Sequence, residues 1–395
     1  MGSPTGFWNI PPAEMSAFHV VVIGAGSTGA AIAHDLALRG LAVTVVERAG
    51  IASGTTGHNQ AQLHSGARYA VRDPESAREC IRENLLLRRL MPEALELNDG
   101  LFVGLNDEHL AYREPFLEAC AACGIPAREI PVGQALALEP GLNPGLRIAI
   151  QIPDGVFDSY RFTLSFATSA RRNGATFRTF TEVSGLDFPA GRVRVWERAT
   201  GRMETLGCDA VVNAAGPWAP QVAALAGVPL EVEASAGVMV TLRVRLCNMV
   251  LNLLAPPGDA DIIVPQRQTS ILGTTSWAVA DPDSIPVPAD HIRSILEQAE
   301  WMIPGSRKAP MLGAMAAARP LIRQPGAGGR EATRGFACLD HAAAGAPGFF
   351  SVVGGKTTTA RLMAEKLSDL VCARLGVNAG CRTRTEPLAS YRLGV

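Results

Sequence analysis

The sequence predicts an α/β protein. A Rossmann-like nucleotide-binding domain is assembled from separated segments, and a substrate domain containing a mainly antiparallel sheet is inserted into it. Three observations carry this. Residues 19–47 read strand, glycine-rich turn, helix, strand. Residues 349–376 read as a further strand, glycine turn and long helix at the far end of the chain. Between them, residues 228–277 alternate apolar and polar side chains over several short strands, the pattern of an antiparallel sheet.

Each element has a local reason. "HVVVIGAG" is a continuous apolar strand, as expected where both faces of a parallel sheet are covered. "STGAAIAHDLALRG" carries small and apolar residues on one helical face and stops at Gly40. "LAVTVVE" is the next strand. Residues 48–71 follow neither period and read as a long ordered loop, a length that is usually functional. Residues 74–97 form a charged amphipathic helix, "LFVGLN" a strand and "LAYREPFLEACAACG" a helix, and residues 125–155 are rich in turns. "FDSYRFTLSFATSARRNGATF" is helix, turn and strand; a strand-turn-strand pattern then leads into the buried "AVVNAAG". "ADHIRSILEQAEWMI" is a helix. The expected division is 16–102, 151–225 and 331–378 for the nucleotide domain and 103–150 and 226–330 for the substrate domain. Residues 1–15 and 379–395 are terminal extensions.

Bulk properties bound the function. A chain of 395 residues can bury two cores. A formal net charge of −1 and the lack of a basic stripe argue against a nucleic-acid partner. No apolar run reaches the roughly 18 residues of a membrane span. "MGSPTGFWNIPPAEM" reads as a Pro-rich leader rather than a secretory signal, so the cytoplasm is the default expectation, with peripheral attachment to a membrane left open. The eight cysteines read as buried thiols. The C-x-x-C of Cys120 and Cys123 falls late in a helical pattern, with no second pair at ligand spacing, so no metal is expected.

Gly24, Gly26 and Gly29 make G-x-G-x-x-G. The first allows a tight turn, the second lets the backbone approach a pyrophosphate, and the third lets helix and strand pack closely. The helix that follows points its free N–H groups at the phosphates. Glu47 ends the next strand at about the 20-residue spacing where an acid meets the adenosine ribose hydroxyls. An acid there repels a 2′-phosphate and disfavours NADP. Glycines that serve packing alone are the plainer alternative. The fingerprint leaves NAD and FAD open, and "SVVGGKTTTARLMAE" separates them. A second helix start suits a flavin ring, on which reduction builds negative charge, and NAD needs no such site. FAD is the expected cofactor.

From "GTTGHNQAQLHSGARYAVRDPESAREC" onward the chain resembles the large, flavin-bearing subunit of anaerobic glycerol-3-phosphate dehydrogenase. More broadly it is similar to the FAD-dependent D-amino-acid-oxidase-like superfamily. Further matching pieces, in order, are "PDGVFD", "VVNAAGPW", "DADIIVP", "GTTS", "ARPL", "LDH" and "GGKTTTARLMAE". The resemblance implies FAD held by Gly24, Gly26, Gly29, Glu47 and Arg48, by Ser53, Thr55 and Thr56, by Ala214, Ala215 and Gly216, and by Gly354, Gly355, Lys356 and Thr357. It implies a small anionic substrate gripped by Arg68, Tyr69, Arg319 and Lys356. Arginine offers a bidentate fork and lysine a point charge, which suits a phosphate. Each cation alone would read as a surface ion pair.

The chemistry implied is oxidation of a secondary alcohol to a ketone, with glycerol 3-phosphate or a larger phosphorylated polyol as substrate. His64 is the candidate general base, against a loop-ordering role, and Arg319 would stabilise the developing alkoxide. The remaining histidines, His34 and His291 among them, carry no signal. Several positions depart from the family pattern. Ala236 stands for a lysine. His58-Asn59-Gln60-Ala61 stands for Arg-Asn-His-Gly, and Gln62 for Leu. Ala316, Ala317 and Ala318 stand for Ser-Gly-Val. Thr357 stands for Leu and Ala360 for Tyr. Loss of volume at 236 and 360 implies a roomier pocket. Without the cysteine-rich extension of longer relatives, electrons are expected to leave to a quinone, a carrier protein or oxygen. Two other readings remain: an oxidase of a hydroxy acid or amine, and a catalytically silent flavin-binding subunit.

Overall fold

The computed structural model describes residues 18–188, 190–323 and 332–394; the expected leader, residues 1–15, lies outside them. Two large sheets organise the chain. The first has six strands, in the order Phe336–Asp340, Phe349–Gly354, Ala210–Asn213, β1 (His19–Ile23), β2 (Ala42–Val46) and Thr176–Arg178. All neighbours are parallel except the first pair. β1 lies inside this sheet and is buried on both faces, which is why its sequence is apolar without alternation. Val20 and Val22 pack on one side and Val21 and Ile23 on the other.

Helix α1 (Ser27–Leu38) is buried nearly all round. Its alanines let it sit close to the helices Ser159–Arg172 and Ala360–Leu375. His34 is trapped in this packing, 2% exposed, with no hydrogen-bond partner for either ring nitrogen among the described residues. Burial, and then the charge of Arg382, lower its pKa to about 4. The folded imidazole therefore stays neutral while the unfolded one protonates near 6.5. Stability is predicted to fall as the pH drops from about 6.5 to about 4, by roughly 3 kcal/mol from this group. His34→Leu should flatten that acid slope, as read by urea unfolding at pH 7 and pH 4.5.

The second sheet is mainly antiparallel, as expected. One parallel pair, Gly100–Gly104 beside Val250–Leu253, interrupts it. Its two longest strands, Val232–Leu242 and Met311–Ile322, pair antiparallel along their whole length. Helix Ala289–Met302 covers one face through Ile295, Ala299 and Met302. The expected boundaries at 102/103 and 150/151 fall inside the strands Gly100–Gly104 and Ile148–Ile152, both members of this sheet. We propose that the inserted unit begins near residue 100 and returns near residue 152.

Three local expectations need correction. Residues 125–155 are not merely turns: they hold the strand Arg128–Ile130, the helix Val132–Leu138 and the buried strand Ile148–Ile152. The helix expected over 74–97 is Pro74–Leu90, with Asp73 accepting from Ser76 N at 3.2 Å; it stops two residues before Pro92, which disfavours helical backbone just ahead of it. The loop 48–71 contains a short strand, Gln62–Leu63, paired with Gly155–Val156.

All eight cysteines are free thiols, and burial pushes that of Cys120 up to about 12. Among the described residues no group could hold a metal ion, and no helix is long and apolar enough to cross a membrane.

Candidate functional site

A cavity of about 980 Å³ runs between the two sheets, at the upper end of the range for ligand sites. At one end it is walled by the glycine turn. Gly24 has φ +104°, and a Cβ there would stand 2.6 Å from Ala214 O. A Cβ on Gly29 would stand 1.9 Å from Gly24 O, so this third glycine faces the turn itself rather than the cavity. Gly26 lines the cavity, and no side chain of its own caps the helix that follows. The first free N–H is met instead by Thr56, whose Oγ1 accepts from Ser27 N at 3.1 Å.

Glu47 is fixed by Ala25 N at 2.8 Å and Ala49 N at 2.9 Å, one to each carboxylate oxygen. Further lone pairs remain for a pair of hydroxyls. Arg48 ion-pairs with Asp283 at 2.5 Å and lies 4.2 Å over the Trp218 ring. Ser53, Thr55, Ala214, Ala215 and Gly216 continue the wall, with Thr55 Oγ1 donating to Ala318 O at 2.7 Å. Gly354, Gly355, Lys356 and Thr357 close the far end, where a second helical segment starts. Backbone that a Cβ would obstruct, an anchored acid, and two helix starts facing one cavity fit a dinucleotide whose second half is a flavin.

Arg68, Arg319 and Lys356 all line this cavity. Arg68, 7% exposed, ion-pairs with Asp261 at 2.7 Å and donates to Gly258 O at 3.0 Å. Lys356 Nζ donates to Arg334 O at 2.7 Å and lies 4.8 Å over the Tyr69 ring. Arg319 donates to Ser235 O, Ala236 O and Thr275 O at 3.3–3.4 Å and to Thr274 Oγ1. Gly237 makes room for it, since a Cβ there would lie 2.5 Å from Arg319 Nη2. All the expected substrate-binding residues line the same cavity.

His64 stands among them, half-buried, with its ring 5.4 Å from that of Tyr69. Burial, and then the charges of Lys356, Arg68 and Arg334, lower its pKa to about 3. It is neutral at physiological pH and can take up a proton. Asp154 holds the segment that carries it, accepting from Ser65 N at 2.6 Å and from Gln62 Nε2 at 2.7 Å.

Sequence reasoning missed Arg334, which lines the cavity and acts electrostatically on His64. Its position is set by Asp73, which accepts from Arg334 N and from Thr333 Oγ1, each at 2.8 Å. Burial alone would raise the Asp73 carboxyl, but these bonds and that from Ser76 hold it below the usual range. No pattern in "EATRGF" marks the arginine; only the contact with distant Asp73 does.

The departures from the family pattern divide into those that line the cavity and those, Ala236, Ala316, Ala318 and Ala360, that do not. His58, Gln60, Ala61, Gln62, Ala317 and Thr357 line the cavity. Ala236 and Ala360 do not: both are fully buried, and Ala360 packs within the core around α1. Ala236 shares a strand face with Val238 and Val240, which pack into a hydrophobic core with Ile295 and Ala299, whereas Met239 on the other face lines the cavity. The volume lost at 236 and 360 is therefore not cavity volume, and the expectation of a roomier pocket loses its basis. Two changes at the wall, at Ala61 and Ala317, each add a methyl group where the family pattern has glycine.

The chain is 43% identical over 386 residues to the A1 subunit of anaerobic glycerol-3-phosphate dehydrogenase from Haloferax volcanii, covering 93% of this chain and 66% of that protein. It is 41% identical over 371 residues to the corresponding subunit of the Escherichia coli enzyme, covering 92% of this chain and 68% of the relative. The chain thus spans about two thirds of the length of these relatives. The glycerol-3-phosphate dehydrogenase from Bacillus halodurans, solved in complex with FAD, superposes with a TM-score of 0.70 at 24% identity, covering 95% of this chain and 69% of that one. That likeness shows the fold. Residues 19–370 match the family described as FAD dependent oxidoreductase. With a match of that extent, the chain belongs to the FAD dependent oxidoreductase family.

Proposed function

We propose that this chain oxidises the secondary alcohol of a small phosphorylated polyol to a ketone, with glycerol 3-phosphate the leading substrate. The observation that carries the reading is the convergence of His64, Arg68, Arg334 and Lys356 on the lining of one cavity. The relatives named as glycerol-3-phosphate dehydrogenases support it.

FAD, when bound, supplies the hydride acceptor. Arg68, Arg334 and Lys356 grip the phosphate, which orients the carbinol. Arg319 would stabilise alkoxide character on the hydroxyl oxygen as the proton leaves. An imidazole nitrogen of His64 accepts that proton. The phosphate dianion offsets the three cations that hold His64 down, so binding of substrate raises the basicity of the imidazole. Electrons then leave to a quinone, a carrier protein or oxygen; a quinone would bring the protein to a membrane surface.

Anaerobic bleaching of the flavin tests the reading. Glycerol 3-phosphate should bleach the purified protein faster than longer sugar-alcohol phosphates or 2-hydroxy acids. Bleaching by hydroxy acids alone, with peroxide formed in air, would replace it by an oxidase. Arg334→Met should raise KM for glycerol 3-phosphate by about 10- to 100-fold, the worth of a charge-assisted hydrogen bond, with flavin content unchanged.

A further inference from the structure

We propose that His291, on the helix Ala289–Met302, is a positioning residue that holds Arg319 in place through Thr275. The inference rests on the role given to Arg319 above. His291 lies in no motif, and its helix covers the sheet of the inserted unit. Its Nδ1 is 3.0 Å from Thr275 Oγ1. Val238 N donates to the same oxygen at 3.1 Å. Val238 N thus takes one lone pair of the hydroxyl, and the hydroxyl shares its other hydrogen bond with His291 Nδ1. Trp277 packs edge-on against the imidazole, with centroids 4.7 Å apart, and fixes the ring plane.

Thr275 is 2% exposed. Its carbonyl accepts from Arg319 Nη2 at 3.3 Å and from Thr274 Oγ1 at 2.7 Å. The Thr274 hydroxyl in turn accepts from the same Arg319 nitrogen. One threonine therefore joins three elements: the strand Val232–Leu242 through Val238, the helix through His291, and the strand Met311–Ile322 through Arg319. The absence of a side chain at Gly237 leaves room for this contact, since a Cβ there would lie 2.5 Å from both Arg319 Nη2 and Thr275 O. Without His291, Thr275 is held only through Val238, by Thr275 N donating to Val238 O at 3.4 Å and Val238 N donating to Thr275 Oγ1 at 3.1 Å. The carbonyl that aims Arg319 Nη2 is then less firmly placed.

The test is single-turnover flavin reduction by glycerol 3-phosphate in the flavin-loaded protein. His291→Asn keeps a hydrogen-bonding atom near the Nδ1 position, whereas His291→Leu removes it and His291→Gln moves it further out. H291L and H291Q should slow reduction by about 3- to 10-fold, the worth of one hydrogen bond, with KM and melting temperature little changed. H291N should stay close to wild type. In an Arg319→Met background, H291L should cause no further loss. Equal rates for H291N and H291Q, or an undiminished effect of H291L when Arg319 is absent, would reduce His291 to an anchor of its helix and overturn the proposal. A wild-type protein that glycerol 3-phosphate fails to bleach would remove the reading of the site, and this inference with it.

Discussion

Replacing His64 by asparagine is expected to lower kcat by about 10²- to 10⁴-fold, the usual worth of a general base, while flavin stays bound. His64 N donates to Thr358 Oγ1 at 3.2 Å through the backbone, so the substitution leaves that link between the loop and the second helix start intact. KM should change far less, because Arg68, Arg334 and Lys356 carry the phosphate. The pH profile supplies an independent check. With burial and three cations holding its pKa to about 3, the imidazole of the free protein is neutral across the working range. The profile of kcat/KM should therefore have no acid limb from His64 above about pH 4. The same depression acts on stability. The unfolded imidazole protonates near 6.5 and the folded one only near 3, so stability is lost as the pH falls through that window. A fall in kcat of less than threefold for His64→Asn would leave the residue an ordering role only.

Gly29→Ala should abolish flavin binding. The added Cβ would stand 1.9 Å from Gly24 O, a backbone atom of the turn that must hold the pyrophosphate. Neither side can yield: α1 is buried between sheet and helices, and Gly24 N is tied to Val46 O at 2.8 Å. A cost on the order of 3–5 kcal/mol is expected, above ordinary overpacking, because backbone rather than a side chain must move. Gly40→Ala is the matched control. No atom lies within 4 Å of a Cβ there, and its φ of +87° adds only local strain. The 450 nm absorbance of purified protein reads both variants. Full flavin content in the Gly29 variant would mean that the helix start can shift without loss of the cofactor.

These two residues also show what could be read in advance. Gly29 was legible because its constraint is local: the strand, the turn and the helix it separates lie within twenty residues, and chain geometry alone dictates a glycine. The antiparallel sheet was legible from alternation in the same way. Arg334 was not, since its place depends on Asp73, about 260 residues earlier, and nothing near it has a period. His291 was passed over for the same reason; its partner Thr275 sits in a motif, but the helix that brings the imidazole there looks like any other amphipathic helix. Ala236 and Ala360 failed in the opposite direction. Substitutions within family motifs suggested pocket volume, and only strand alternation and core packing reveal that they lie behind the wall.

The order of strands in the six-stranded sheet has a consequence for biosynthesis. Ala210–Asn213 lies between β1 and Phe349–Gly354, and Asn213 hydrogen-bonds to Ser351, 138 residues further along the chain. A ribosome adding roughly 5–20 residues per second leaves that edge unpaired for about 7 to 28 seconds. Throughout that interval a hydrophobic parallel sheet, three or four strands wide, waits with one open side. Cells making this protein should need a chaperone to shield the nascent edge, and truncation before residue 349 should yield aggregates rather than a smaller folded product.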